Sequence, residues 1–270
     1  MALEGSTAVI TGAASGLGRA LALELARGGG AIMIADVDMD GASETAELVR
    51  RAGGTAHIAE CDVRKWEQVE ALAERSRAEL GAIDVLCNNA GVAVGGPFED
   101  VELEHWEWCI DINLWGVIYG CRAFLPAMRQ RGKGYVLNVA SAAGLLNPPE
   151  LGPYNVTKSA VVGLSETLFA EYGPAVHVSV LCPTFFKTGI ADNAKGALGE
   201  RQAKITRKLM ERSKVQAPDV AKAALEGLER GDLHIVPMND GRVMWGLKRL
   251  GPRRFQAWMG KQWARGRSRR

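Results

Sequence analysis

A glycine-rich turn near the start constrains this chain more than any other feature. Thr7-Ala-Val-Ile-Thr11 is a short apolar run. Thr11-Gly-Ala-Ala-Ser-Gly-Leu-Gly18 follows it, and residues Gly16 to Arg27 then carry apolar side chains at helical spacing before the break at Gly28-Gly-Gly30. A strand feeding a helix through so short a turn sets up a right-handed crossover to a parallel neighbour. Each glycine in the turn has its own task. Gly12 permits the tight turn, Gly16 lets backbone N–H groups approach a pyrophosphate, and Gly18 lets the helix pack close to the sheet. Ser15 and Leu17 sit between them at the helix N-terminus, where the macrodipole favours an anion. The turn therefore reads as a dinucleotide site, against the plainer alternative of an ordinary glycine-rich connection.

The rest of the chain repeats the alternation. Further strands are expected at Ala31–Ala35, Ala56–Glu60, Val85–Asn88, Tyr135–Val139, Val176–Leu181 and His234–Val236. Helices are expected at Asp40–Ala52, Lys65–Leu80, Leu103–Arg129, Tyr154–Tyr172 and Asp219–Glu229. Strands alternating with crossover helices imply an α/β fold, a doubly wound parallel sheet of about seven strands covered on both faces. Residues 1–240 form one catalytic domain in this reading. The polar, Lys-rich stretch 184–217 follows a strand end and reads as a substrate lid, and 241–270 is a basic amphipathic extension.

Composition narrows the class. No run of eighteen apolar residues is present, so no membrane-spanning helix is expected. The N-terminus lacks the pattern of a secretory signal. The five cysteines are scattered without a C-x-x-C pair, which suits reduced thiols in the cytoplasm and gives no metal-ligand set. Net charge is +2, yet ten Lys or Arg and no acid fall from Arg242 onward, leaving an acidic body. That distribution does not suit a nucleic-acid-binding domain.

Asp36 ends the second strand. A carboxylate there can accept from both hydroxyls of an adenosine ribose and would repel a 2′-phosphate. Ser15 and Val37 stand where an Arg or Lys would answer that phosphate, so NAD(H) is preferred over NADP(H). Arg19 is the one nearby cation that keeps NADP(H) in play. Later, Tyr154 and Lys158 share one helix face, and Ser141 follows the apolar run Tyr135–Ala140. A phenol, an ammonium and a hydroxyl could surround one reacting atom, although a Tyr and a Lys at this spacing are weak evidence alone.

Taken together these motifs resemble the short-chain dehydrogenase/reductase family, in its branch of about 250-residue Rossmann-type enzymes. The resemblance spans residue 5 to about 238. It rests on Thr11–Gly18, on the Asp62-Val63 pair that contacts adenine in the family, on Asn88-Asn-Ala-Gly91, on Asn113 in the long helix, and on Ser141, Tyr154 and Lys158. It implies cofactor contacts from Asn89, Ala90 and Gly91, and from Pro183 and Thr188 after the sixth strand. Where the family has Pro-Gly the chain has Pro183-Thr184, a departure beside the nicotinamide contact.

The resemblance also implies roles. Tyr154 would be the general acid/base, its phenolate favoured by the Lys158 ammonium and by oxidised nicotinamide. Lys158 would also bind the nicotinamide ribose, and Ser141 would hydrogen-bond the substrate oxygen. Asn113 would disturb its helix and hold a water in a proton relay. A homodimer or homotetramer through the long helix and the Tyr154 helix is implied as well.

On the substrate side, Leu145, Leu151, Phe185 and Phe186, with Ser141 and Tyr154, would line an apolar pocket. This suits a hydrophobic secondary alcohol or its ketone, such as a steroid, aromatic or fatty compound. Two alternatives stay open: a 3-oxoacyl thioester reductase using NADPH, and a non-catalytic NADH-binding sensor. Trp106, Trp108 and Trp115 read as helix packing or a dimer contact. In the tail, Pro252 can start a helix whose stripe Phe255, Trp258, Met259 and Trp263 opposes Arg253, Arg254, Lys261 and Arg265. Such a helix can pack on the body or a partner, make peripheral contact with an anionic membrane, or stay solvated; disorder is expected over 266–270.

Overall fold

The computed structural model describes residues 3–186, 213 and 215–268. Seven parallel strands form one sheet in the order β3-β2-β1-β4-β5-β6-β7. They are β1 Thr7–Thr11, β2 Ala31–Asp36, β3 Thr55–Glu60, β4 Val85–Asn88, β5 Tyr135–Val139, β6 His177–Leu181 and β7 His234–Ile235. Alternate residues enter opposite faces. Ile10, Ile32 and Ile34 join one core cluster and Val9, Met33 and Leu86 the other. Both faces are buried, which is why these strands read as continuous apolar runs rather than alternating ones.

Helices α1 Gly16–Arg27, α2 Met39–Arg51 and α8 Ala217–Arg230 supply the first cluster. Helices α3 Trp66–Leu80, α5 Gly116–Arg131 and α7 Gly152–Tyr172 supply the second. The order of connection reverses between β1 and β4, so a crevice opens at the carboxyl ends of those strands. This is a single Rossmann-type domain.

Three stretches differ from the sequence expectation. The long helix is α4 Leu103–Ile110, then a π-helical turn Asp111–Trp115, then α5. A five-residue helix, α6 Ala142–Leu146, follows β5. A twelve-residue helix, α9 Asn239–Leu250, precedes the expected tail helix, and that helix, α10 Pro252–Ser268, runs through Gly260 and past the point where disorder was expected. Only Phe255 of the tail stripe is buried, while Trp258 is exposed.

The three tryptophans do not form one cluster. Trp106 and Trp108 pack against Val94, Val101 and Cys109, whereas Trp115 stacks on Tyr119 at 5.5 Å. Among the described residues no helix is long and apolar enough to cross a membrane.

Candidate active site

The first turn is built by close backbone contact. Gly12 and Gly16 take left-handed φ values of +66° and +54°. A Cβ on Gly12 would stand 2.7 Å from Ala90 Cα, and one on Gly18 would stand 2.2 Å from the Gly12 oxygen. Over Gly16 a Cβ would meet nothing within 4 Å, so this backbone lies open to an approaching group at the α1 N-terminus. The turn therefore fits a dinucleotide pyrophosphate. Asn89 secures it from β4: its Nδ2 donates to the Thr11 and Gly12 carbonyls at 2.8 and 2.9 Å, and the Asn89 and Ala90 N–H groups donate to Thr11 Oγ1. The Asn89 amide thus braces the turn rather than standing free for a cofactor. Leu17 is buried in the core, and Ser15 is exposed at the helix N-cap without a side-chain capping bond.

Both acidic residues assigned to the adenosine half are partly engaged. Asp36 Oδ1 accepts from Val37 and Asp38, and Oδ2 accepts from Ala14 N at 2.9 Å. An ionised carboxylate offers about four acceptor sites, so Oδ2 keeps one for a ribose hydroxyl. Asp62 is clasped by Arg64 through Nε and Nη2, and this bond holds its carboxyl below the ordinary value. Val63 is buried under Gly116. Arg19 donates to the Ala14 and Gly41 carbonyls, Thr45 and Glu44.

The reacting groups converge beside the same crevice. Ser141 caps α6, its Oγ accepting from Ala143 N at 3.1 Å, and its hydroxyl stands beside the Tyr154 phenol and favours the ionised form. One turn along α7, Lys158 Nζ lies 5.7 Å from the centre of the Tyr154 ring and donates to the Val139 carbonyl at 2.9 Å. Burial pushes the Tyr154 phenol up to about 12, against the lowering expected from Lys158, while the Ser141 hydroxyl pulls it down. Burial pushes Lys158 down to about 8. Gly91 covers the ammonium, since a Cβ there would sit 3.3 Å from Lys158 Nζ and 3.2 Å from Asn113 Oδ1.

Asn113 is fully buried in the π-helical turn. Its amide pairs with the Val92 backbone in both directions, at 2.8 and 2.9 Å. The local helix disturbance is therefore present, but the side chain is committed to the loop after β4. A π-turn shifts the ladder from i+4 to i+5, so backbone carbonyls rather than the Asn113 amide are the groups that could hold a water.

With this geometry in hand, the comparisons with known proteins are informative. The family described as short chain dehydrogenase matches residues 6–198. The chain is 36% identical over 251 residues to SadH of Mycobacterium tuberculosis, named as an oxidoreductase, covering 92% of this chain and 91% of that protein. This chain belongs to the short-chain dehydrogenase family. Human epidermal retinol dehydrogenase 2 is 36% identical over 191 residues, 69% of this chain and 62% of its own length. A short-chain dehydrogenase/reductase from Burkholderia phymatum, solved in complex with NAD, superimposes with a TM-score of 0.87 at 34% identity, covering 92% of this chain and 94% of its own.

The substrate side of this short-chain dehydrogenase departs from the sequence expectation. Leu145 and Phe186 are buried at 7% exposure in the two core clusters. Both pack their loops onto the body, and Leu145 also lines a cleft with Gly144, Val162, Trp245 and Lys248. Leu151 is half-buried at the start of α7 and bridges to Gly96. Phe185 is exposed beside Pro237, Met238 and Asp240. The Pro183 carbonyl accepts from Ala142 N at 2.9 Å. Thr188 and most of the 184–217 lid lie outside the described residues.

Several supporting residues were not anticipated. Gly144 lets α6 rest on α7, for a Cβ there would be 2.5 Å from the Lys158 carbonyl carbon. Ser159 Oγ donates to the Gly144 oxygen at 2.8 Å and accepts from Asn147 Nδ2 at 3.0 Å. Lys248 on α9 donates to the Leu145 carbonyl at 2.6 Å and to Asn147 Oδ1, and Gln256 on α10 donates to the Leu146 carbonyl at 2.9 Å. Thr184 Oγ1 donates to Asp240 Oδ1 at 3.1 Å, and its methyl lies where a Cβ on Gly241 would be 2.8 Å away. A positive φ of 55° at Asn147 was the one sequence-level hint, since Asn tolerates that region.

Proposed function

We propose that this chain is an NAD(H)-dependent oxidoreductase that interconverts a hydrophobic secondary alcohol and its ketone. The observation that carries the reading is the Tyr154 phenol beside Ser141, with a buried Lys158 whose Nζ lies 5.7 Å from the Tyr154 ring centre under Gly91. When bound, nicotinamide supplies or accepts a hydride at C4. Gly12, Ser15, Gly16, Leu17, Gly18, Asp36, Asp62, Val63, Ala90, Gly91 and Pro183 hold the cofactor, and Lys158 binds its nicotinamide ribose. Ser141 donates to the substrate oxygen and stabilises the charge that develops there. Tyr154 gives its proton to that oxygen in reduction and takes it back in oxidation. Burial favours the protonated phenol, so Tyr154 is poised as an acid, and the Lys158 ammonium favours phenolate in the opposite direction.

Asp36 with its remaining acceptor favours NAD(H). The engagement of Arg19 with carbonyls, Thr45 and Glu44 supports the same preference and weighs against an NADPH-dependent thioester reductase. Leu151 and Phe185 support an apolar substrate, as does the retinol in the name of one relative. Assembly as a dimer or tetramer through α4–α5 and α7 belongs to this reading, supported by exposed Trp115, Val156 and Phe169 on those helices, as does a cytoplasmic location. The test is NADH formation against a panel of secondary alcohols, with Tyr154→Phe as the control. Turnover that disappears in the variant while NADH still binds is expected. Unchanged turnover in Tyr154→Phe would sink the mechanism, and NADH binding without turnover on any alcohol would favour a sensor.

A further inference from the structure

Helix α9 is built inside out. Its inward face carries Gly241, Met244, Trp245 and Lys248, and its outward face carries Val243, Leu247 and Leu250. These three are 61%, 53% and 89% exposed, and Trp258 on α10 is 45% exposed. The helix cannot roll to hide them, because its inward face is fastened. Gly241 fits against Thr184, Lys248 is bonded to the Leu145 carbonyl and Asn147, and Trp245 is packed against His234 at 4.9 Å.

Beyond Asp240, the charge that α9 and α10 themselves carry has one sign; an acid beside them is Glu166 of α7, which lines a cleft with Trp245 and Arg249 and is paired with His234. No Asp or Glu occurs after Asp240, and Asp240 itself is taken by Thr184 Oγ1 and the Gly241 N–H. Arg242, Arg249, Arg253, Arg254 and Lys261 are all exposed on α9 and α10. Exposed apolar side chains rimmed by cations, on helices with no acid after Asp240, complement a surface that is negative at its headgroups and apolar beneath them. A second copy of this chain is the poorer match. A two-fold contact would set the same basic face against itself, with like charges opposed.

We propose that the outward face of α9, with the adjoining basic face of α10, docks on an anionic lipid surface. Of the tail stripe only Trp258 is exposed enough to join this contact, since Phe255 is buried. The docking is independent of the catalytic reading and would bring the α6 side of the candidate site close to a membrane.

Full-length protein is sedimented with vesicles of mixed phosphatidylglycerol and phosphatidylcholine, and with phosphatidylcholine alone, in low and in molar salt. The triple variant Val243→Ser, Leu247→Ser, Leu250→Ser alters only exposed side chains, and its melt and NADH affinity check that the fold is intact. Expected are binding to the anionic vesicles, release in molar salt, and binding weakened roughly tenfold or more in the triple variant. Failure to sediment with anionic vesicles overturns the proposal, and so does undiminished binding by the variant. So too does a drop in oligomer size of the variant on gel filtration, which would show that a second copy covers the face.

Discussion

Two loop systems meet at the carboxyl edge of the sheet, and they are held in different ways. The nucleotide turn is packed backbone against backbone, since Gly12 and Gly18 leave no room for a Cβ, and the Asn89 side chain grips its carbonyls. The substrate-side loops after β5 and β6 are held by side chains from helices α9 and α10: Asp240, Lys248 and Gln256. The first system has almost no freedom to vary. The second can be retuned by changing a distant helix while the cofactor turn stays as it is.

The contrast can be broken most sharply at Gly18. Gly18→Ala drives a Cβ into the Gly12 oxygen, so a stability loss of about 3 kcal/mol or more and loss of NADH binding are expected, read by melts and NADH fluorescence. Retained cofactor affinity in that variant would show the turn to be softer than it looks.

Lys158 stands where the two systems touch, and its burial makes a pH prediction. Its ordinary value of 10.5 is held down to about 8 in the fold. At Lys158 the unfolded chain therefore binds more protons between these values, and this residue's contribution to stability rises with pH from about 8 to 10.5, by about 3 kcal/mol in the limit. Above pH 10, Tyr154, raised to about 12, acts the other way and lowers stability. Burial pushes all five thiols up from 9, four of them to about 12, so both proteins lose stability above pH 9, and it is the wild-type-minus-Lys158→Met difference in urea melts that should rise across this range. Parallel profiles would mean that the ammonium is not held down by burial.

On the substrate side, Gly144→Ala should lower kcat about a hundredfold by pushing α6 off Lys158, with NADH affinity unchanged. A parallel loss of NADH binding would erase the distinction between the two systems. The smallest effect is expected at Lys248. Lys248→Met removes two bonds to the α6 loop, and kcat/KM should fall about tenfold at constant NADH affinity, with partial rescue by Lys248→Arg. Equal loss in the arginine variant would argue that the lysine only fills space.

The same contrast explains what could be read from the sequence. Strands buried on both faces show as continuous apolar runs, and the turn shows in its glycines, so the sheet and the cofactor edge were legible. Helix α9 was not, because its apolar residues point outward and its buried face includes a glycine and a lysine. Helix α6 is too short to show a period. Leu145 and Phe186 are more buried than a pocket lining needs, and composition does not tell how far an apolar loop side chain turns inward. Tyr154 was expected to be acidified because spacing reveals a neighbouring charge but not the burial that outweighs it. The clasp of Arg64 on Asp62, the residue expected beside adenine, is an ion pair two residues apart that the motif alone does not reveal.

Thr184 occupies the place where its family usually carries glycine, and the space it takes is recovered at Gly241. The threonine methyl fills the space that a side chain at 241 would need, so the two positions constrain one another. Thr184→Gly would leave the Asp240 carboxylate without its hydroxyl, and Gly241→Ala would collide with the threonine methyl. A C-terminal segment grafted from another dehydrogenase would seat here only if residue 184 travelled with it, which makes these two sites a single unit of exchange in any attempt to recombine such enzymes.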